Sequence, residues 1–236
     1  PNILFIIHDW DKNNLGGTTL HADDIVQTLR NKYNFHIFTK NKIGYAVYSY
    51  YEQTETELQL PDIEEFKDLR YYNSEYQKLL EKIIDMFQIS IVHIHHLKGH
   101  YFNIKNIINK YKLYTVISLH DYYSICPQIT KLYKNEQYCG CTPNKEKCAE
   151  CLRYLFKNDL DINCWRHEWH SLLKSVNKII VPSESTKKEI NQIYQDLDLT
   201  VIEHGINIKK ETSKLQIETN KNFNVAFAGA IGIHKG

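Results

Sequence analysis

The chain has 236 residues, enough to bury a substantial core as one large domain or two small ones. Its 29 Lys and Arg against 28 Asp and Glu leave a net charge of +1, which offers no basic footprint for nucleic acid. No apolar run approaches the roughly 20 residues needed to span a bilayer, and the first residues read as a strand, not as a signal peptide.

Ile3 to Ile7 is an unbroken apolar run, the pattern of a strand covered on both faces. Gly16-Gly17 follows, and Thr18 or Thr19 is placed to cap a helix bearing Leu20, Ile25, Val26 and Leu29. Phe35 to Thr39 reads as a second strand and Tyr45 to Tyr50 as a third. Residues 52–70 are acidic and poorly periodic, so a surface connection is expected there. Helical spacing returns between Tyr72 and Gln88, at Leu79, Leu80, Ile83, Ile84 and Phe87. A strand over Ile89 to His95, a helix over Phe102 to Tyr111 and a strand over Tyr114 to Leu119 come next, the last ending at His120-Asp121. A cysteine-bearing loop occupies residues 126–152. Beyond it lie a helix (Cys164 to Val176), a strand (Lys178 to Val181), a helix (Ser185 to Tyr194) and a strand (Leu199 to Ile202), closed by His204-Gly205.

Residues 207–222 are polar and lysine-rich, as a linker would be, and Phe223 to Gly236 combines a β-prone run with a glycine turn. The expected organisation is one domain over 1–206, a linker over 207–222, and over 223–236 the first strand and turn of a second domain. With Pro1-Asn2 leading straight into a strand, the chain reads as part of a longer polypeptide. Alternating strands and helices predict an α/β fold with a Rossmann-like, doubly wound, mostly parallel sheet and helices on both faces. Ligands of such sheets sit beyond the carboxyl ends of the strands. His8-Asp9, His95-His96, His120-Asp121 and His204-Gly205 all fall at those ends.

Gly16-Gly17 lies between a buried strand and a helix start, where free backbone amides accept a phosphate; a plain turn explains the same residues. A histidine beside an aspartate, as in His120-Asp121, can exchange protons near neutral pH or simply hydrogen-bond its loop. His93 and His95 share one face of their strand while His96 faces the other way, so these rings and His100 read as structural in preference to metal-binding. Ser183 or Ser185 is placed to cap the following helix, and Trp165 and Trp169 to fill a core.

Cys139, Cys141, Cys148 and Cys151 fall within thirteen residues, unlike disulfides spread through a secreted scaffold, which points to the cytoplasm. Two close pairs of thiols match a tetrahedral structural zinc site. Two disulfides, or reduced thiols packed in the loop, fit the same spacing, and Cys126 and Cys164 flank the cluster as alternative partners.

Five segments in order, NNLGGTTLHADDIVQTL, IVHIHHLKGH, VISLHDYYSICPQIT, VPSESTKKEINQIY with VIEHGINI, and AFAGAIGIHKG, resemble the family-4-type retaining glycosyltransferases of the GT-B fold. The resemblance makes this chain the acceptor-side half of a GT-B architecture. It implies transfer of a sugar from a nucleotide-sugar co-substrate to a glycan or lipid-linked acceptor, with retention, in cell-surface polysaccharide synthesis. It further implies a C-terminal domain that holds the nucleotide, without which the fragment is inactive. By the same resemblance Gly16 and Gly17 meet the donor diphosphate, His120 and Asp121 form the catalytic position, and His21, His95, His96 and Tyr122 line the acceptor side. The family often has Arg after the first-strand glycine of the second domain; Ala230 follows Gly229 here, so no diphosphate contact is assigned there. Work on lipid-linked acceptors implies peripheral contact with the inner face of the membrane, although no clear basic amphipathic helix is present. The rival readings are a non-catalytic glycan- or protein-binding module derived from such a domain, and a zinc-loop protein binding an ordinary nucleotide. The second of these lacks a dinucleotide fingerprint or P-loop.

Overall fold

A computed structural model describes residues 1–11, 16–63, 71–140, 144–156 and 160–205 of the protein. The expected linker and second-domain strand, 207–236, lie outside these residues. At the centre of the sheet is β1 (Asn2–Ile7), flanked by β2 (Asn34–Lys40) on one side and β5 (Ile89–Ile94) on the other, both parallel to it. Beyond β5 the parallel series continues through β6 (Tyr114–Ser118), β9 (Lys178–Val181) and β10 (Leu199–Val201). Beyond β2 the sheet turns antiparallel, through β3 (Tyr45–Tyr51) and β4 (Thr54–Leu60). The order β10-β9-β6-β5-β1-β2-β3-β4 makes an α/β, Rossmann-like, mostly parallel sheet with an antiparallel edge.

Successive side chains of a strand point to opposite faces, and β1 feeds two cores for that reason. Leu4 and Ile6 pack into the larger core beneath α2 (Ser74–Phe87), α3 (Ile104–Tyr111), α5 (Ile162–Leu173) and α6 (Glu184–Asn191). Phe5 and Ile7 pack on the other face with Ala22 and Val26 of α1 (Gly17–Leu29). Helices thus lie on both faces. α2 shows why its sequence is helical. Its apolar residues recur at Tyr76, Leu80, Ile83 and Ile84 on one buried stripe, and the Asn73 side chain caps it by accepting from the Glu75 and Tyr76 N–H groups. The β2–β3 turn needs Gly44 itself: its φ is +150°, and a Cβ there would stand 2.8 Å from the Asp62 nitrogen.

Three expectations require correction. Residues 54–60, expected as surface connection, form β4; every residue from Thr54 to Gln59 is exposed, so the strand is held by backbone pairing with β3 and by polar bonds such as that from Gln59 to the Tyr45 carbonyl, and its short apolar alternation, Leu58 and Leu60, does little to reveal it. Its acidic, exposed face also discourages pairing with another chain. The loop over 126–152 contains a small hairpin, β7 (Leu132–Tyr133) with β8 (Gln137–Tyr138), and runs into α4 (Lys145–Phe156), so Cys148 and Cys151 lie on a helix. Neither Thr18 nor Thr19 caps α1: Gly16 is the N-cap, without a side-chain bond, and the Thr19 hydroxyl donates to the Asp9 carbonyl at 3.2 Å. Ser183 does cap α6, accepting from the Thr186 N–H at 3.1 Å.

Candidate functional site

Parallel pairing carries the histidines to one edge. The Ile6 carbonyl accepts from the His95 N–H at 2.8 Å, extending β5 along β1, and the Ile180 carbonyl accepts from the Leu119 N–H at 2.8 Å, extending β6 along β9. His95 and His120 therefore emerge side by side. Their rings stack at 5.3 Å between centroids, with His95 Nδ1 3.1 Å from His120 Nε2. His204, three residues beyond β10, closes the row with its Nε2 3.1 Å from His120 Nδ1. His21 of α1 stacks on His204 at 4.2 Å and stands 5.2 Å from His120. His93 joins beneath, 4.0 Å from His95, its Nε2 2.8 Å from the Ser118 hydroxyl.

One tautomeric arrangement serves the whole row. If His95 Nδ1–H donates to His120 Nε2, and His120 Nδ1–H to His204 Nε2, each ring carries one proton. The buried His95 Nε2, which has no partner, is then a bare lone pair and not a stranded N–H. All these rings are neutral at pH 7. Burial, then the neighbouring His204, His21 and His93, holds His120 down to about 3. Burial and the rings around it hold His95 well below the ordinary value. Burial and His204 lower His21, and burial lowers His204. His120 in this state is a hydrogen-bonding group and not a poised acid.

His96 belongs to a second network, on the other face as strand alternation requires. The Lys98 N–H donates to His96 Nδ1 at 3.0 Å, so Nε2 carries the proton and donates to Asp121 Oδ2 at 3.1 Å. Asp121 Oδ1 accepts from the Tyr123 N–H at 2.8 Å. Burial pushes the Asp121 carboxyl up, but the His96 and Tyr123 bonds outweigh it and hold the group below its usual range. Both carboxylate oxygens are thus engaged by the protein. His8 lies tilted against His96 at 4.4 Å between ring centroids, and burial holds it to about 4. Tyr122 lies elsewhere, under the Lys131 ammonium at 4.8 Å from its ring centroid.

The start of α1 completes the site. Among the described residues its first amides have no side-chain cap, and a Cβ at Gly16 or Gly17 would meet nothing within 4 Å. The two glycines leave approach to a helix N-terminus open, where a phosphate finds N–H donors and the helix dipole. His21, one turn along the same helix, places those amides beside His120.

Of the expected residues, the structure gathers Gly16, Gly17, His21, His95 and His120, and places His96 with Asp121 and Tyr122 in separate contacts. It adds His204, whose position at a strand end was the available signal, and His93. Among the cysteines, Cys139, Cys148 and Cys151 line one small cavity with Cys126, while Cys141 lies outside the described residues. Among the described residues no three His, Cys, Asp or Glu side chains stand in a metal-holding array, and no helix is long and apolar enough to cross a membrane.

An α/β sheet with a polar, glycine-opened site at its carboxyl edge defines a Rossmann-like ligand-handling domain. Residues 15–210 match the Glycosyltransferase Family 4, and the chain belongs to that family. The family match fixes the type of domain, a glycosyltransferase-type α/β domain. No curated protein matches the chain. A secreted C11 cysteine protease from Bacteroides thetaiotaomicron is similar at 11% identity and a TM-score of 0.32, over 77% of this chain and 45% of that one. The chain thus spans less than half the length of that solved structure, and the likeness carries no argument.

Proposed function

We propose that the protein transfers a sugar, with retention, from a nucleotide-sugar to a glycan or lipid-linked acceptor in cell-surface polysaccharide synthesis. In this reading it is the acceptor-side half of a GT-B enzyme, working against a second domain that holds the nucleotide, in the cytoplasm at the inner face of the membrane. The fragment alone is inactive, because one domain supplies only part of the transition-state binding. The observation that carries the reading is the meeting of His120 with the open N-terminus of α1 through His21.

The Gly16-Gly17 amides take the donor diphosphate, the group that must leave with the electrons of its bond to the sugar. His120 contacts the transferred sugar. Both its ring nitrogens are already bonded, one to buried His95 and one to exposed His204. His204 is therefore the partner that a sugar hydroxyl replaces, which frees His120 Nδ1–H to donate. His95 fixes the His120 tautomer from below. Asp121 acts through His96, and His21, His95, His96 and Tyr122 belong to the acceptor side.

The test is turnover of the full-length protein with a panel of nucleotide-sugars, beside His120→Ala. Removing one well-placed donor is expected to lower turnover by roughly 100-fold or more with the fold retained. No turnover with any donor, or an unimpaired variant, overturns the assignment.

A further inference from the structure

We propose that Cys126, Cys139, Cys148 and Cys151 form a four-thiolate structural zinc site, with Cys126 in the place that the clustered spacing suggests for Cys141. The four thiols line one cavity of about 50 Å³. They reach it from separate pieces of chain. Cys126 sits in the turn after β6, where its N–H donates to the Tyr122 carbonyl at 2.8 Å. Cys139 follows β8, its N–H donating to the Lys131 carbonyl at 2.9 Å. Cys148 and Cys151 are one turn apart on α4. All four are free thiols, and Cys126 lies within electrostatic reach of the other three.

Two further features suit thiolates. Backbone N–H groups donate to sulfur at two of the four positions, Lys134 to Cys151 at 3.2 Å and Gln128 to Cys126. Such bonds favour the charged sulfur, but burial outweighs them at Cys126, pushing its thiol up to about 11, and raises Cys139 too, so it is the metal that must draw off these protons. The cavity is also lined by Lys131, Lys147 and Arg166 and by no carboxylate. Zn²⁺ with four thiolates carries a net charge of −2, which Lys147 and Arg166 offset, the Lys131 ammonium being already paired with Glu189. The segment's own hairpin is small, with strands of two residues each. A metal supplies the missing cross-link. The sulfurs do not yet stand in coordinating positions. Binding draws them in from the cavity wall to about 2.3 Å from zinc. Four S–H protons leave to solvent, four Zn–S bonds form, and no redox change occurs.

The experiment uses the full-length protein, purified reduced and without chelator, and its outcome is independent of the sugar-transfer assignment. Elemental analysis is expected to find about one zinc per chain. Maleimide labelling of the native protein is expected to spare Cys126, Cys139, Cys148 and Cys151 and to modify Cys141 and Cys164, with all six reactive once zinc is stripped. Cys126→Ser should lose the zinc and Cys141→Ser should keep it. If Cys126→Ser does not fold, the labelling pattern of the unaltered protein decides alone. Absence of zinc after supplementation, a disulfide mass, or protection of Cys141 in place of Cys126 overturns the proposal.

Discussion

The histidine row and the cysteine cavity are both clusters of metal-capable side chains, yet the chain builds them by opposite means. The histidines ride on the ends of adjacent parallel strands, so backbone hydrogen bonds fix their spacing before any ligand arrives. Packing then forces them neutral. The cysteines sit in the turn after β6, beside a short hairpin and on a helix outside the sheet. That region is tied to the body by the buried ion pair of Lys131 with Glu189, by Leu152 in the main core, by the Arg166 Nε–H, which donates to the Ile125 carbonyl at 3.1 Å, and by the Trp165 indole, which donates to the Tyr123 carbonyl at 3.0 Å. A sheet edge preorganises a site, whereas an insertion needs a cross-link to acquire one.

Acid should break the histidine side of this contrast with the largest effect. Burial holds His36 to about 4 and His95 well below 6.5, so the folded state refuses protons that the unfolded chain accepts. Their contribution to stability is complete above pH 6.5 and is lost as pH falls through 4. His36 weakens folding by about 1.4 kcal/mol per pH unit over that window and so removes roughly 2 kcal/mol by pH 5, and His95 adds to the loss in the same direction. His93, His100 and His120, each held to about 3, act in the same direction. Urea unfolding at pH 7, 6 and 5 measures the slope; a flat profile would mean that the folded rings take up protons as readily as the unfolded chain.

The joint between the two regions can be cut next. Trp169 is 2% exposed and packs on Phe102, Tyr123 and Trp165, beneath the segment that leads from His120 to Cys126. Trp169→Ala should cost about 3–5 kcal/mol in denaturant unfolding, through the cavity it leaves. Both regions should loosen together, read by proton exchange at the Leu119 amide and by Cys126 labelling. Loosening of only one would show that this joint does not couple them.

A smaller and more selective effect is expected at the loop anchor. The Lys131 ammonium is almost wholly buried, bonds the Tyr138 hydroxyl at 3.0 Å and pairs with Glu189. Lys131→Met keeps the apolar stem but leaves the Glu189 carboxylate, which is 20% exposed, with the Tyr138 hydroxyl. A loss of about 1–3 kcal/mol follows from the abandoned charge. Cys139 should label faster while the histidine resonances stay in place. Movement of those resonances would contradict the separation of the two regions.

The sequence by itself determined the parts that depend on local chemistry. Unbroken apolar runs such as Ile3 to Ile7 mark strands buried on both faces, and the spacing of Leu80, Ile83 and Ile84 marks a helix with one buried stripe. Ser183, with an oxygen to offer a helix start, caps one. Strand-end placement of the histidines was legible too, since strand alternation separates His95 from His96 wherever the strand lies. It did not show β4, because an exposed edge strand held by backbone pairing and polar side-chain bonds buries no apolar face. Nor did it show α4, whose buried residues are few. Which histidines meet, and that Cys126 shares a cavity with Cys139, Cys148 and Cys151, was decided by tertiary structure alone. His120 reaches His204 across 84 residues and His21 across 99, contacts set by strand order and by the seating of α1 on the sheet. Local periodicity records which side of an element faces the core; it holds no record of which distant element lies there.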